Sequence, residues 1–186
     1  MPYTFEDVLA AMQEIAPHDW RAFFTERLNS HGPGAPLGGL ENSGWRLVFS
    51  DTMNEHQRAE EIVGRVTDVQ FSLGIIVHDP GGENSDEVSD VIAGSPAAQA
   101  GIAPGMKLVA VNGRRWTPEI LHEAIRRAKG GKEPIELLVE NEEYFHNYRI
   151  DYHGGERYPH LERNGKPDLL SEIARVKAPA VPLTKD

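Results

Sequence analysis

The 186-residue sequence predicts an α+β protein, and three observations carry that prediction. Apolar residues recur at helical spacing within the first 30 residues and again in a short stretch near the end. From Ile62 to Tyr152, short alternating runs are separated by glycine, proline and Asn-Gly turns, which is the punctuation of strands. Among those runs stand two short helices, each opened by a hydroxyl residue followed by proline.

Each element has a local reason. Thr4 with Asp7 reads as a capping box, and Phe5, Val8, Leu9 and Met12 follow at i, i+3, i+4 and i+7. Pro17 suits the first turn of a second helix, with Asp19 near its positive end. Trp20, Phe23, Phe24, Arg27 and Leu28 give that helix an aromatic face that reads as core, yet two short helices cannot bury it alone. Residues 31–44 hold five glycines and two prolines and read as a linker or irregular loop. Trp45, Leu47 and Phe49 alternate with Arg46 and Val48 as a strand, and the polar stretch 50–61 reads as a solvated loop or short helix.

Strands are expected over 63–69, 73–78 and 87–92. Ser95 caps a helix with Pro96 first and Gly101 at its end. Pro104-Gly105 turns the chain into a strand over 107–111, and Asn112-Gly113 is the strongest hairpin signal present. Thr117 caps the next helix, which Gly130-Gly131 stops. Ile135, Leu137 and Val139 alternate with glutamates; Tyr144, His146, Tyr148, Ile150 and Tyr152 alternate in the last strand. The stretch from His153 to Pro167 is turn-rich, Asp168 opens a short helix, and the chain after Lys177 is rich in proline and alanine.

Composition narrows the function. With 29 acidic and 19 basic residues the net charge is −10, which repels phosphate backbones and anionic lipid and argues against nucleic acid and membrane surfaces as partners. The absence of cysteine rules out disulfides, thiolate catalysis and cysteine-ligated zinc, while leaving the compartment open. His122-Glu123-Ala124-Ile125-Arg126 approaches the HExxH zinc helix but places arginine at the second ligand position. Asp151, His153 and Glu156 crowd a glycine turn, a pattern that reads as surface polarity before it reads as a metal site. No GxSxG, SxxK or GxxxxGK[ST] motif occurs, so no catalytic residue and no metal ligand is assigned.

One run is specific. Gly94 to Gly113, GSPAAQAGIAPGMKLVAVNG, closely resembles a PDZ domain of the bacterial type, departing at Met106 where aspartate is usual. The resemblance implies a partly open β-barrel or sandwich of five to six strands capped by two helices, over residues 62–152. It also implies a loop that receives a peptide carboxylate, which Ser72-Leu73-Gly74-Ile75 fits. Successive N–H groups of Leu73, Gly74 and Ile75 would form an anion nest there. A peptide would add as a strand along Gly74, Ile75, Ile76, Val77 and His78. Leu121, Ile125 and Ala128 would line the opposite wall, a stripe that equally suits the core. With Leu121 rather than His122 in register, apolar residues would be favoured two from the peptide end. Glu83, Asp86, Glu87 and Asp90 would favour basic residues upstream.

The flanks widen the resemblance. Pro17-His18-Asp19-Trp20, Phe23-Phe24, Ala35-Pro36-Leu37, Gly44-Trp45-Arg46-Leu47-Val48, and the tail from Asp151 to Leu161 are similar to the C-terminal region of glycyl aminopeptidase-type zinc metallopeptidases. That implies residues 1–31 as the last helices of a thermolysin-like catalytic domain, 32–61 as a linker with one strand, and 153–186 as a C-terminal extension. The chain then reads as a noncatalytic C-terminal piece of a bacterial, exported enzyme. It needs no cofactor, any zinc belongs to the catalytic domain, and its partners are a peptide end and that domain. The alternative is a structural module that packs on the catalytic domain and binds no free peptide.

Overall fold

The computed structural model describes residues 2–31, 35–82 and 85–175. The chain divides into two units that meet between Leu37 and Gly38. No described helix is long and apolar enough to cross a membrane.

The first unit is a pair of helices, α1 (Phe5–Ile15) and α2 (Trp20–Asn29). The capping box is present at Thr4, whose N–H donates to Asp7 Oδ2 at 2.8 Å. α2 starts later than proline placement suggests, because Asp19 is the cap and accepts from the Ala22 N–H at 2.9 Å. Phe23 packs edge-on to Trp20 and to Phe24, and Phe24 edge-on to Phe5. None of these helical residues is fully buried.

Among its described residues the second unit holds three sheets, all antiparallel. β1 (Trp45–Ser50) pairs with β9 (Tyr158–Arg163), from Trp45 opposite Arg163 to Ser50 opposite Tyr158. β2 (Val66–Asp68), β3 (Ile75–His78) and β4 (Val88–Val91) form a sheet with β3 in the middle. β5 (Lys107–Val111), β6 (Arg114–Arg115), β7 (Ile135–Asn141) and β8 (Tyr144–Ile150) form the third, in the order β6-β5-β7-β8. The sheets are open rather than closed into a barrel, and among the described residues five helices accompany them: α3 (Gly38–Asn42), α4 (Glu55–Gly64), α5 (Pro96–Ala100), α6 (Pro118–Ala128) and α7 (Leu169–Ala174).

The core is made by the faces of these sheets and by α6. Leu73, Ile75, Val77, Leu108, Leu121, Ile125, Ile135, Leu137 and Ile150 are at most 1% exposed, each large side chain contributing about 1.5–3 kcal/mol by leaving water. α5 and α6 begin as their sequences dictate: Ser95 and Thr117 accept from N–H groups three residues on, and Pro96 and Pro118 occupy the first turn. Asn112 and Gly113 both have positive φ, the requirement of a tight hairpin between β5 and β6.

Four expectations change. The linker at 31–44 contains α3. The strand expected from residue 63 begins at Val66, because Asn54 caps α4 and carries the helix through Ile62 and Val63, which stay 71% and 85% exposed. The turn-rich stretch after His153 contains β9, whose Pro159 sits opposite Phe49 in a two-stranded ladder where every strand is an edge. The hairpin arm β6 raises the strand count between residues 62 and 152 to seven. The proline-rich end after Lys177 lies outside the described residues.

Candidate functional site

The loop Ser72–Ile75 is held from behind by α5. Gly74 has φ +86°, and a Cβ there would lie 2.0 Å from Ser95 Cβ, so conformation and space both require glycine. The Leu73 carbonyl accepts the Ala97 N–H at 3.0 Å, and the Gly74 carbonyl accepts the Ile92 N–H at 2.8 Å. From the other side, Ser72 Oγ accepts the Arg157 N–H at 3.1 Å. Phe71 packs on Phe49, over whose ring Arg157 sits at 4.4 Å.

The nest expected from Leu73, Gly74 and Ile75 shifts by one residue, leaving out the Ile75 N–H, and its N–H groups meet on an atom of the chain itself. Those of Ser72, Leu73 and Gly74 all point to the Val69 carbonyl oxygen, at 3.0, 2.9 and 3.1 Å. The Val69 N–H in turn donates to the Ile75 carbonyl at 3.1 Å. Val66 pairs with His78, Thr67 with Val77 and Asp68 with Ile76, so β2 lies along one edge of β3 while β4 lies along the other. The strand named as the site of peptide addition therefore has neither edge free in this structure.

The remaining groove residues are brought together with the loop. Leu121, Ile125 and Ala128 join Val69, Leu73, Ile75 and Val77 in one apolar cluster, Leu121 and Ile125 with no exposure at all. Ile76 is half-buried and faces away from Ile75 and Val77 along β3. Among the acidic residues, Asp86 is turned inward and accepts the Trp116 indole N–H at 2.6 Å. Glu87 is half-buried beside Lys107, Asp90 is exposed on β4, and Glu83 lies outside the described residues.

His122 has a different part from the one its spacing suggested. Its Nδ1 lies 2.8 Å from Glu156 Oε1, which also accepts from Arg126 at 2.9 Å, and Tyr158 Oη lies 3.4 Å from the same ring nitrogen. Burial alone would raise the Glu156 carboxyl; the hydrogen bond and charge of His122, with Arg126, outweigh it and hold it below its ordinary value. The Tyr158 hydroxyl is pushed up by burial, and further by the charges of Glu156 and Glu61. Arg126 stands one turn on from His122, where a zinc helix carries its second ligand, and a guanidinium does not fit that role. Glu156 thus leaves Asp151 and His153, which bond to each other at 2.8 Å.

The bond of the Val69 carbonyl to this loop was not expected from the sequence. The available signal was the short connection between two β-rich runs, 63–69 and 73–78, which permits an antiparallel hairpin.

Residues 87–141, from β4 through β7, match the family model described as PDZ domain. The match covers 55 of the chain's 186 residues. The PDZ match starts after the 72–75 loop and includes α5 and α6, the elements that brace it. No curated protein matches the chain. Among solved structures, the chain is similar to the HtrA3 PDZ domain bound to a phage-derived ligand, FGRWV, at 20% identity and a TM-score of 0.31, over 66% of this chain and 94% of that one. It is also similar to an aminopeptidase N family protein from Idiomarina loihiensis, at 13% identity and a TM-score of 0.54. That likeness is one of fold; it covers 90% of this chain, which spans 28% of the length of that protein.

Proposed function

We propose that the PDZ-bearing unit is a noncatalytic peptide-recognition module. Its site is the Ser72–Ile75 loop with the groove between β3 and α6, and its ligand is a peptide C-terminus or extended segment added along β3. The observation that supports this most is the convergence of three consecutive N–H groups on one oxygen, a cradle built for a carbonyl or carboxylate. Leu121, Ile125 and Ala128 supply the apolar wall, and Asp90 and Glu87, at β4, offer charge to basic residues upstream in the peptide.

We further infer that the module serves a longer protein of the aminopeptidase type, presenting substrate to a catalytic domain that carries any zinc. The similarity of the flanking sequence and the fold-level likeness to the Idiomarina loihiensis protein support this reading. A second reading, a structural module with no free ligand, is favoured by the occupation of both edges of β3.

Titration of the chain with a C-terminal peptide library, followed by amide NMR, separates the two. Recognition gives saturable shifts at Ser72, Leu73, Gly74 and Ile75 that disappear when the peptide end is amidated. Silence across the library supports the structural role.

A further inference from the structure

We propose that residues Val66–Val69 are an intramolecular ligand that keeps the groove closed until a peptide displaces them; the inference rests on the peptide-recognition reading above. The segment has every attribute of an added strand. It runs antiparallel to β3, it ends with its Val69 carbonyl in the cradle of three N–H groups, and its side chains alternate. Thr67 and Val69 are 1% and 3% exposed, while Val66 and Asp68 are half-buried on the other face.

What holds it is slight. The β2–β3 ladder is three residues long, against seven for β7–β8. Two side-chain bonds reinforce it: Thr67 Oγ1 donates to Asp79 Oδ1 at 2.8 Å, and the Asp68 N–H donates to Glu61 Oε1 at 2.8 Å. At its entry Arg65 sits at φ +50°, a left-handed conformation that disfavours a non-glycine residue. A peptide carboxylate has the stronger claim on the cradle, because it brings a full negative charge to donors now satisfied by one neutral carbonyl. Closure therefore selects free peptide ends over internal segments, and it weakens every ligand by the fraction of time the segment stays in place.

The test locks and loosens the segment in the full chain. Val66 and His78 face each other at a non-hydrogen-bonded position, flanked by the Asp79-to-Arg65 bond and the Thr67–Val77 pair, and the chain contains no cysteine to interfere. The probe is a fluorescent peptide of the chain's own residues 62–69 with a free C-terminal carboxylate. We expect the Val66→Cys/His78→Cys variant to lose binding at least tenfold when oxidised and to regain wild-type affinity on reduction. Glu61→Ala, which removes one retaining bond, should bind about fivefold more tightly, the effect of one hydrogen bond on the open fraction. Equal binding by oxidised, reduced and wild-type protein overturns the self-ligand and leaves recognition standing. No binding by any folded variant, Glu61→Ala included, overturns both.

Discussion

The helical unit and the second unit use apolar residues in opposite ways. α1 and α2 carry Phe5, Trp20, Phe23 and Phe24 packed edge to face, yet no residue of either helix is fully buried. The second unit buries Trp116 and Tyr158 but draws its deepest core from aliphatic residues, a dozen of them below 2% exposure. Aromatic content is thus no measure of a core. Two helices can each turn one face to the other, whereas sheets with a helix laid across them exclude water from every side.

The contrast can be broken most violently at Leu121. A charge buried there has no partner, so Leu121→Asp should unfold the second unit, while Leu121→Ala should cost about 2–5 kcal/mol in urea denaturation. The helical signal of residues 2–31 should survive in both; its loss would show that the two regions are one cooperative unit. Gly74→Ala comes next, at more than about 2 kcal/mol, since it combines a left-handed backbone with a clash on Ser95. Gly81, with the same φ of +86° and open space around it, should tolerate alanine better.

A smaller effect concerns acid. The folded Glu156 carboxyl lies below its ordinary 4.5, so its contribution to stability is fully present above that value and is lost as pH falls through the lowered one. Glu156→Gln should therefore flatten the acid limb of the stability profile, with no change in helicity of residues 2–31. The smallest effect is Asp19→Ala. It removes the cap of α2, costs that helix about 1 kcal/mol, and should leave the second unit's transition where it was.

What the sequence disclosed follows from how local each determinant is. Ser95-Pro96, Asn112-Gly113 and Thr117-Pro118 act through their own backbone preferences, and all three stand where their chemistry puts them. β9 was illegible because its pairing partner is more than a hundred residues away and its own composition resembles a turn. Val63 reads as strand, but the Asn54 cap decided otherwise and no packing pulled it back, since it remains exposed with Ile62 beside it. At the candidate site, Gly74 betrayed the loop through its need for positive φ. The occupant was hidden because backbone carbonyls carry no sequence signature: any residue at position 69 presents the same oxygen.

The β1–β9 ladder gives the molecule a mechanical character. The chain enters this strand pair at Trp45 and leaves it at Arg163, and these two residues face each other. Tension applied across them loads the six pairs one at a time, as a zipper is opened, rather than shearing them together. The first tooth is held by the Trp45 indole bond to Asp168, and the next by the Arg46–Glu162 ion pair. Pulled between Trp45 and Arg163, the unit therefore yields first here, in small steps at low force, and the seven-residue β7–β8 ladder stays folded behind it.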